Sequence, residues 1–166
     1  MGSDCTVEID EGFINVRVGA IIMKDGKFLM AGNDKDDFLY SVGGRVKFGE
    51  TSEQAVMREV FEETGVKMDI ERLGFIHENF FTADYGLRKD RLMYEISFFY
   101  YMKVPDGFEP VCDTFTENGQ KEKLVWVDKD SKIKYFPEFF RTELYAQTQG
   151  VKHIVTDERK GLCQGL

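Results

Sequence analysis

Glu59, Glu62 and Glu63 fall within five residues of one another in the run Arg58-Glu59-Val60-Phe61-Glu62-Glu63. At about 100° per residue, a helix through this segment places the three carboxylates in a stripe roughly 100° wide. Like charges four apart destabilise a helix by a few tenths of a kcal/mol. Partly buried carboxylates ~4 Å apart would repel by about 4 kcal/mol at an effective dielectric of 20. A divalent cation removes that penalty, and carboxylate oxygens are the donors Mg²⁺ prefers. The alternative is a solvated acidic helix face. The flanking residues argue against it. Gly43-Gly44 allows close approach of a ligand to the backbone, and the Thr51 helix start offers amides and a positive dipole end. Arg58 is placed to orient the carboxylates by charged hydrogen bonds.

The elements that must position these groups follow from local signals. Thr51 and Gln54 make a capping box, and the helix runs to about Thr64 with Gly65 as its stop. Val56, Val60 and Phe61 are the expected apolar contacts opposite the carboxylates. Residues 14–23 alternate as a strand, Lys24-Asp25-Gly26-Lys27 is a tight turn, and Phe28–Ala31 returns as the second arm of a hairpin. Phe38–Val42 is a short strand that ends at the glycine pair. Ile70–Phe81, Arg91–Val104 and Lys123–Val127 read as strands, and Val151–Val155 as a last short one. Pro137 opens a second helix to about Gln147. The expected fold class is α/β, a mixed sheet flanked by helices, in a single domain over residues 1–166.

Composition narrows the function. The 166 residues are 42% hydrophobic, enough to bury a core without staples. A net charge of −8 leaves no basic surface for duplex or RNA binding. The longest uncharged apolar run, Ile96–Met102, is far short of a membrane span. Three scattered cysteines form neither a disulfide framework nor a zinc site and fit a reducing cytoplasm.

The segment from Gly44 to Val66 reads G-x5-E-x7-R-E-V-x-E-E-x-G-V, and with it the chain resembles the Nudix hydrolase family at every fixed position of the box. The resemblance implies an α/β/α sandwich and Mg²⁺-dependent hydrolysis, with Mn²⁺ as a substitute, of a pyrophosphate bond in a small nucleotide. A nucleoside triphosphate or a dinucleoside polyphosphate would serve, and a homodimer is compatible. Carried over by position, Glu59, Glu62, Glu63 and the Gly43 carbonyl are metal ligands, while Glu50 and Arg58 are the orienting shell. The family often places its general base outside the box, which leaves Glu122 first, then Glu117, with Glu62 on the helix. Val42 stands where many members have proline.

Arg45, Arg17 and Gly44 are the candidate substrate contacts, with Lys47 behind them. Asn79-Phe80-Phe81 is read mainly as core. Glu95, opposite the apolar stripe of its strand, is read first as a solvated surface residue, with a site role as the alternative. His77 and His153 have no part in this chemistry. Phe81 stands where ADP-ribose-specific members often carry proline, and Tyr85 nearly matches the tyrosine of dinucleoside polyphosphate hydrolases. The competing reading is a non-catalytic Nudix-fold binding or sensor module.

Overall fold

In the computed structural model, which describes residues 2–84, 88–110, 121–146 and 148–159, the carboxylate segment is a helix, α1 (Ser52–Thr64). Its start is the expected capping box. Thr51 Oγ1 accepts from the Gln54 amide at 3.2 Å, and Gln54 Oε1 accepts from the Thr51 amide at 2.9 Å. Its end is Gly65, in the left-handed region at φ 72°, whose N–H donates to the Phe61 carbonyl. A side chain there would strain the turn. Ala55, Val56 and Val60 are fully buried. Burial of each valine contributes roughly 1.5–3 kcal/mol, which outweighs the few tenths lost to like charges along the helix.

The strands are β1 (Thr6–Ile9), β2 (Gly12–Ile21), β3 (Met23–Lys24), β4 (Lys27–Asn33), β5 (Phe38–Ser41), β6 (Gly43–Arg45), β7 (Ile70–Thr82), β8 (Leu92–Met102), β9 (Glu122–Val127), β10 (Lys134–Phe136) and β11 (Lys152–Glu158). They form two mixed sheets where one was expected, and the α/β class stands. The first runs β1-β2-β8-β7-β11, with β6 also on β2; β2–β8 and β7–β11 are parallel. The second runs β10-β5-β4-β3, with β9 also on β4; only β10–β5 is parallel. The chain leaves the first sheet after Ile21, turns through Asp25-Gly26 with positive φ at both residues, and returns to β2 at Gly43.

Both faces of the first sheet are therefore covered. Val18, Ala20, Tyr100 and Met102 pack with α1, while Ile21, Phe75 and Phe99 pack with Phe28, Tyr135 and Phe140 of the other layer. Phe140 sits in α2 (Phe140–Glu143), which is much shorter than the helix expected up to Gln147. The turn that enters it is tightened by bonds three residues apart, in which the Phe140, Arg141 and Thr142 amides donate to the Pro137, Glu138 and Phe139 carbonyls. The apolar residues Phe139, Phe140 and Leu144 supply one buried turn and no more. Phe61 also departs from expectation. It is 46% exposed, and the buried stripe of α1 is Ala55, Val56, Val60, Glu63 and Thr64. At about 100° per residue, Phe61 falls roughly 100° beyond Val60, outside that stripe.

Candidate active site

The β5–β6 corner and α1 build the site together. Gly43 has φ 143°, and a Cβ there would lie 2.2 Å from the Val18 carbonyl oxygen. A Cβ on Gly44 would lie 2.5 Å from Glu59 Oε1. The glycine pair thus lets β6 join β2 while Glu59 lies against the backbone. Glu63 is 7% exposed, and its Oε1 accepts from the Gly43 amide at 2.9 Å. Its other oxygen, Oε2, is buried with no hydrogen-bond partner. Burial raises the Glu63 carboxyl well above the usual range; the Gly43 amide opposes this, and the charges of Glu122 and Glu59 add to it. Burial also raises Glu59, against the pull of Arg58.

Arg58 ties the shell together. Its Nε and Nη2 donate to the two Glu50 oxygens at 2.7 and 2.9 Å, a bidentate pair. Its Nη1 donates to Glu59 Oε1 at 2.6 Å and to Glu62 Oε2 at 3.2 Å. Its Nη2 also reaches the Arg45 carbonyl at 3.2 Å. The Arg58 hydrogen bonds pull the Glu50 carboxyl down to about 2. Glu62 is the outlier of the three helix carboxylates, since 46% of its side chain is exposed.

A divalent cation is the group this site implies. Among the described residues no three His, Cys, Asp or Glu side chains already converge around a cation position, and Arg58 engages Glu59 and Glu62. The donor set fits nonetheless. Glu63 Oε2 is a hard, buried oxygen without a partner, and it lies on the same helix face as Glu59, one turn on. Both carboxyls have their charge disfavoured by burial, a penalty that a cation would offset.

The other expected residues divide. Glu122, at the start of β9, accepts from Tyr40 Oη at 2.7 Å and acts electrostatically on Glu63. Its neighbour Lys123 pairs with Asp34 at 2.9 Å. Glu117 lies outside the described residues. Arg17 faces Arg45 across the β2–β6 ladder. Arg17 pairs with Glu95 at 3.4 Å and Arg45 with Asp4 at 3.4 Å. Arg17 also lowers the Glu63 carboxyl electrostatically, so it stands near the carboxylate group.

Glu95 is not the solvated surface residue expected: only 14% of its side chain is exposed. Its side chain lies against Asn15 and Arg17, on the face that farther along carries Phe99 toward the second layer. His77 is likewise buried, which holds its imidazole down to about 4, and it shares a 2.9 Å hydrogen bond with Thr156 Oγ1. Sequence reasoning also missed Tyr40 and the fully buried Asn15. A lone amide inside the apolar run Phe13–Ile22 was the available signal for the second.

The family model of the NUDIX domain matches residues 14–139. The chain belongs to the Nudix family. A MutT-like protein of Streptomyces ambofaciens is 31% identical over 61 residues, 37% of this chain; the chain spans about 40% of that relative's length. A MutT Nudix hydrolase of Burkholderia pseudomallei shares the fold at 24% identity and TM-score 0.56, with 81% of this chain and 98% of that chain covered. An ADP-ribose pyrophosphatase of Streptococcus suis shares it at 13% identity and TM-score 0.56, with 84% and 98% covered. Among the described residues no helix of this Nudix chain is long and apolar enough to cross a membrane.

Proposed function

We propose that this Nudix protein hydrolyses a pyrophosphate bond in a small nucleotide with a divalent cation, Mg²⁺ or in its place Mn²⁺, held by Glu59 and Glu63. The observation that carries the reading is the partnerless, buried Glu63 Oε2 beside a Glu59 carboxylate that the Gly44 backbone is shaped to admit. Bound Mg²⁺ would shield the phosphate oxygens and lower the pKa of an attacking water.

The chain's own residues divide the remaining work. Arg58, braced by both Glu50 oxygens, fixes the rotamer of Glu59 and favours its ionised form against the cost of burial. The Gly43 amide holds one Glu63 oxygen and leaves the other for the cation. Glu62, exposed at the rim, adds a further carboxylate, and the Gly43 carbonyl is a further oxygen donor. Arg17, which acts electrostatically on Glu63 and lies opposite Arg45 of β6, meets the substrate, with Arg45 beside it.

Glu122 takes the proton of the attacking water. Tyr40 occupies its Oε1 by donation, which leaves Oε2 to accept. Glu117 is the alternative base. The substrate is a nucleoside triphosphate, a dinucleoside polyphosphate or a similar nucleoside diphosphate derivative. The test is release of phosphate or pyrophosphate from a nucleotide panel with and without Mg²⁺. Metal-dependent release from at least one member is expected, and none from any would overturn the reading.

A further inference from the structure

The pyrophosphate site leaves unexplained a row of buried polar groups farther along the first sheet. Asn15 is 0% exposed, and Ser97 and His77 are also buried. In the ladder Asn15 lies opposite Glu95, and Glu95 opposite Asn79, so these residues share a face with Arg17, Ser97 and His77. That face carries Ile21, Phe75 and Phe99 toward the second layer.

The polar row is organised around one carboxylate. Thr6 Oγ1 donates to Asn15 Oδ1 at 2.8 Å, and Asn15 Nδ2 donates to Glu95 Oε1 at 3.0 Å. Arg17 Nη1 approaches the same oxygen at 3.4 Å. A fully buried amide thus serves to fix one oxygen of Glu95. The other oxygen, Oε2, takes no hydrogen bond from any described residue, and it keeps solvent access although the side chain is only 14% exposed. A solvent-accessible carboxylate oxygen in an otherwise buried polar row is free to accept from a ligand in place of water.

Its position indicates which part of a ligand it meets. Gly44 lies opposite Val18, and Val18 opposite Phe98, three residues from Glu95. Two strand spacings and that offset put the Glu95 backbone about 14 Å from Gly44. Arg17 bridges the interval, acting on Glu63 at one end and touching Glu95 at the other. Glu59 packs on the α1 face of the sheet and Glu95 lies on the other. A nucleoside diphosphate with its phosphates at the carboxylates therefore brings its sugar to Glu95 around the β6 edge, past Arg17.

We propose that Glu95 Oε2 accepts from the ribose hydroxyls of the substrate, so that the protein selects ribonucleotides over 2′-deoxynucleotides. The proposal rests on the reading of the Gly43–Glu63 region as the pyrophosphate site. An ionised carboxylate only accepts, and a ribose diol presents two donors side by side. Nucleotide folds of other kinds use an acidic residue on the ribose 2′-OH for this reason. A nucleobase N–H is the other source of the same donor chemistry.

Glu95→Gln isolates Oε2, because the amide keeps an oxygen for Asn15 and Arg17 and puts a donor in place of the free acceptor. The affinities of ADP, 2′-deoxy-ADP, UDP and 2′-deoxy-UDP are measured calorimetrically with Mg²⁺ for both proteins, together with kcat/KM for the matching triphosphates. The wild type is expected to prefer ribose by about 10- to 100-fold with either base, the scale of one charged hydrogen bond. Glu95→Gln is expected to reduce the preference below about threefold.

Equal wild-type affinity for ribose and deoxyribose overturns the proposal, as does a preference that follows the base. Equal weakening of both sugars in Glu95→Gln, with their ratio kept, assigns Glu95 to holding Arg17 and also overturns it. Ribose-selective binding with no turnover of any nucleotide of the panel by the wild type would refute the hydrolase reading and leave this one standing. No measurable binding of any of the four overturns this proposal, while the hydrolase reading falls only if no nucleotide of the panel is cleaved.

Discussion

Gly44→Ala tests the geometry of the site more sharply than removal of any carboxylate. The new Cβ would lie 2.5 Å from Glu59 Oε1 and 2.9 Å from Oε2, where ordinary contact begins at 3.4 Å. The carboxylate must retreat by about 0.9 Å, and in doing so it gives up its 2.6 Å hydrogen bond to Arg58. A misplacement of about 1 Å in a catalytic group costs on the order of 10²-fold, or about 2.7 kcal/mol of transition-state stabilisation. The obstacle is the far end of a flexible side chain, so the backbone need not move and the fold survives. Steady-state kcat at saturating Mg²⁺ should fall about 10²-fold, with a urea midpoint close to that of the wild type. Gly43→Ala supplies the contrast. Its Cβ would strike the Val18 carbonyl at 2.2 Å from a residue at φ 143°, so the fold itself should be lost. A Gly44→Ala protein within about threefold of wild-type kcat would refute the close packing of Glu59 against this backbone as a requirement of catalysis.

Glu63→Gln should remove at least nine-tenths of the activity, a cost above ~1.4 kcal/mol, while thermal stability without metal stays equal or rises because a disfavoured buried charge is gone. Glu122→Gln should lower kcat by about 10²–10⁴ with little change in KM. If Glu117→Gln shows that drop and Glu122→Gln does not, the base is Glu117. His77 should titrate near 4 by NMR. The sign follows from its depressed value: the unfolded chain takes up a proton below about pH 6.5 that the folded chain refuses, so stability falls from there down to about pH 4. His77→Gln should flatten that slope, and an imidazole titrating near 6.5 in the folded protein would contradict its burial.

What the sequence revealed was the part of the structure that local chemistry determines. Thr51, Gln54 and Gly65 bound α1 because caps are satisfied within a few residues, and Asp25-Gly26 makes its turn for the same reason. The short strands Thr6–Ile9 and Lys134–Phe136 were hidden because each exists through pairing with a distant partner, β2 and β5. Glu95 shows the limit most clearly. Its alternation with the apolar stripe of β8 was read correctly, but a second layer covers the face opposite that stripe. Period-two patterning separates two faces without saying whether the other one meets water. Of the candidate site, the box residues Glu50, Arg58, Glu59 and Glu63 were all brought together at the β5–β6 corner. The Tyr40–Glu122 and Asn15–Glu95 contacts span about 80 residues of sequence, 82 and 80, and left no local trace.

The proposed activity is hydrolysis of a nucleotide pyrophosphate bond by this protein, for which Glu59 and Glu63 would hold the cation. Its most direct test is the initial rate of cleavage as a function of free Mg²⁺, for the wild type and Glu63→Gln, on a nucleotide the wild type cleaves. The rate should rise to saturation with Mg²⁺ in the wild type, vanish in chelator, and stay below a tenth of that level in Glu63→Gln, a loss of more than ~1.4 kcal/mol. Cleavage that survives chelation, or a Glu63→Gln protein with the wild-type Mg²⁺ response, would contradict it.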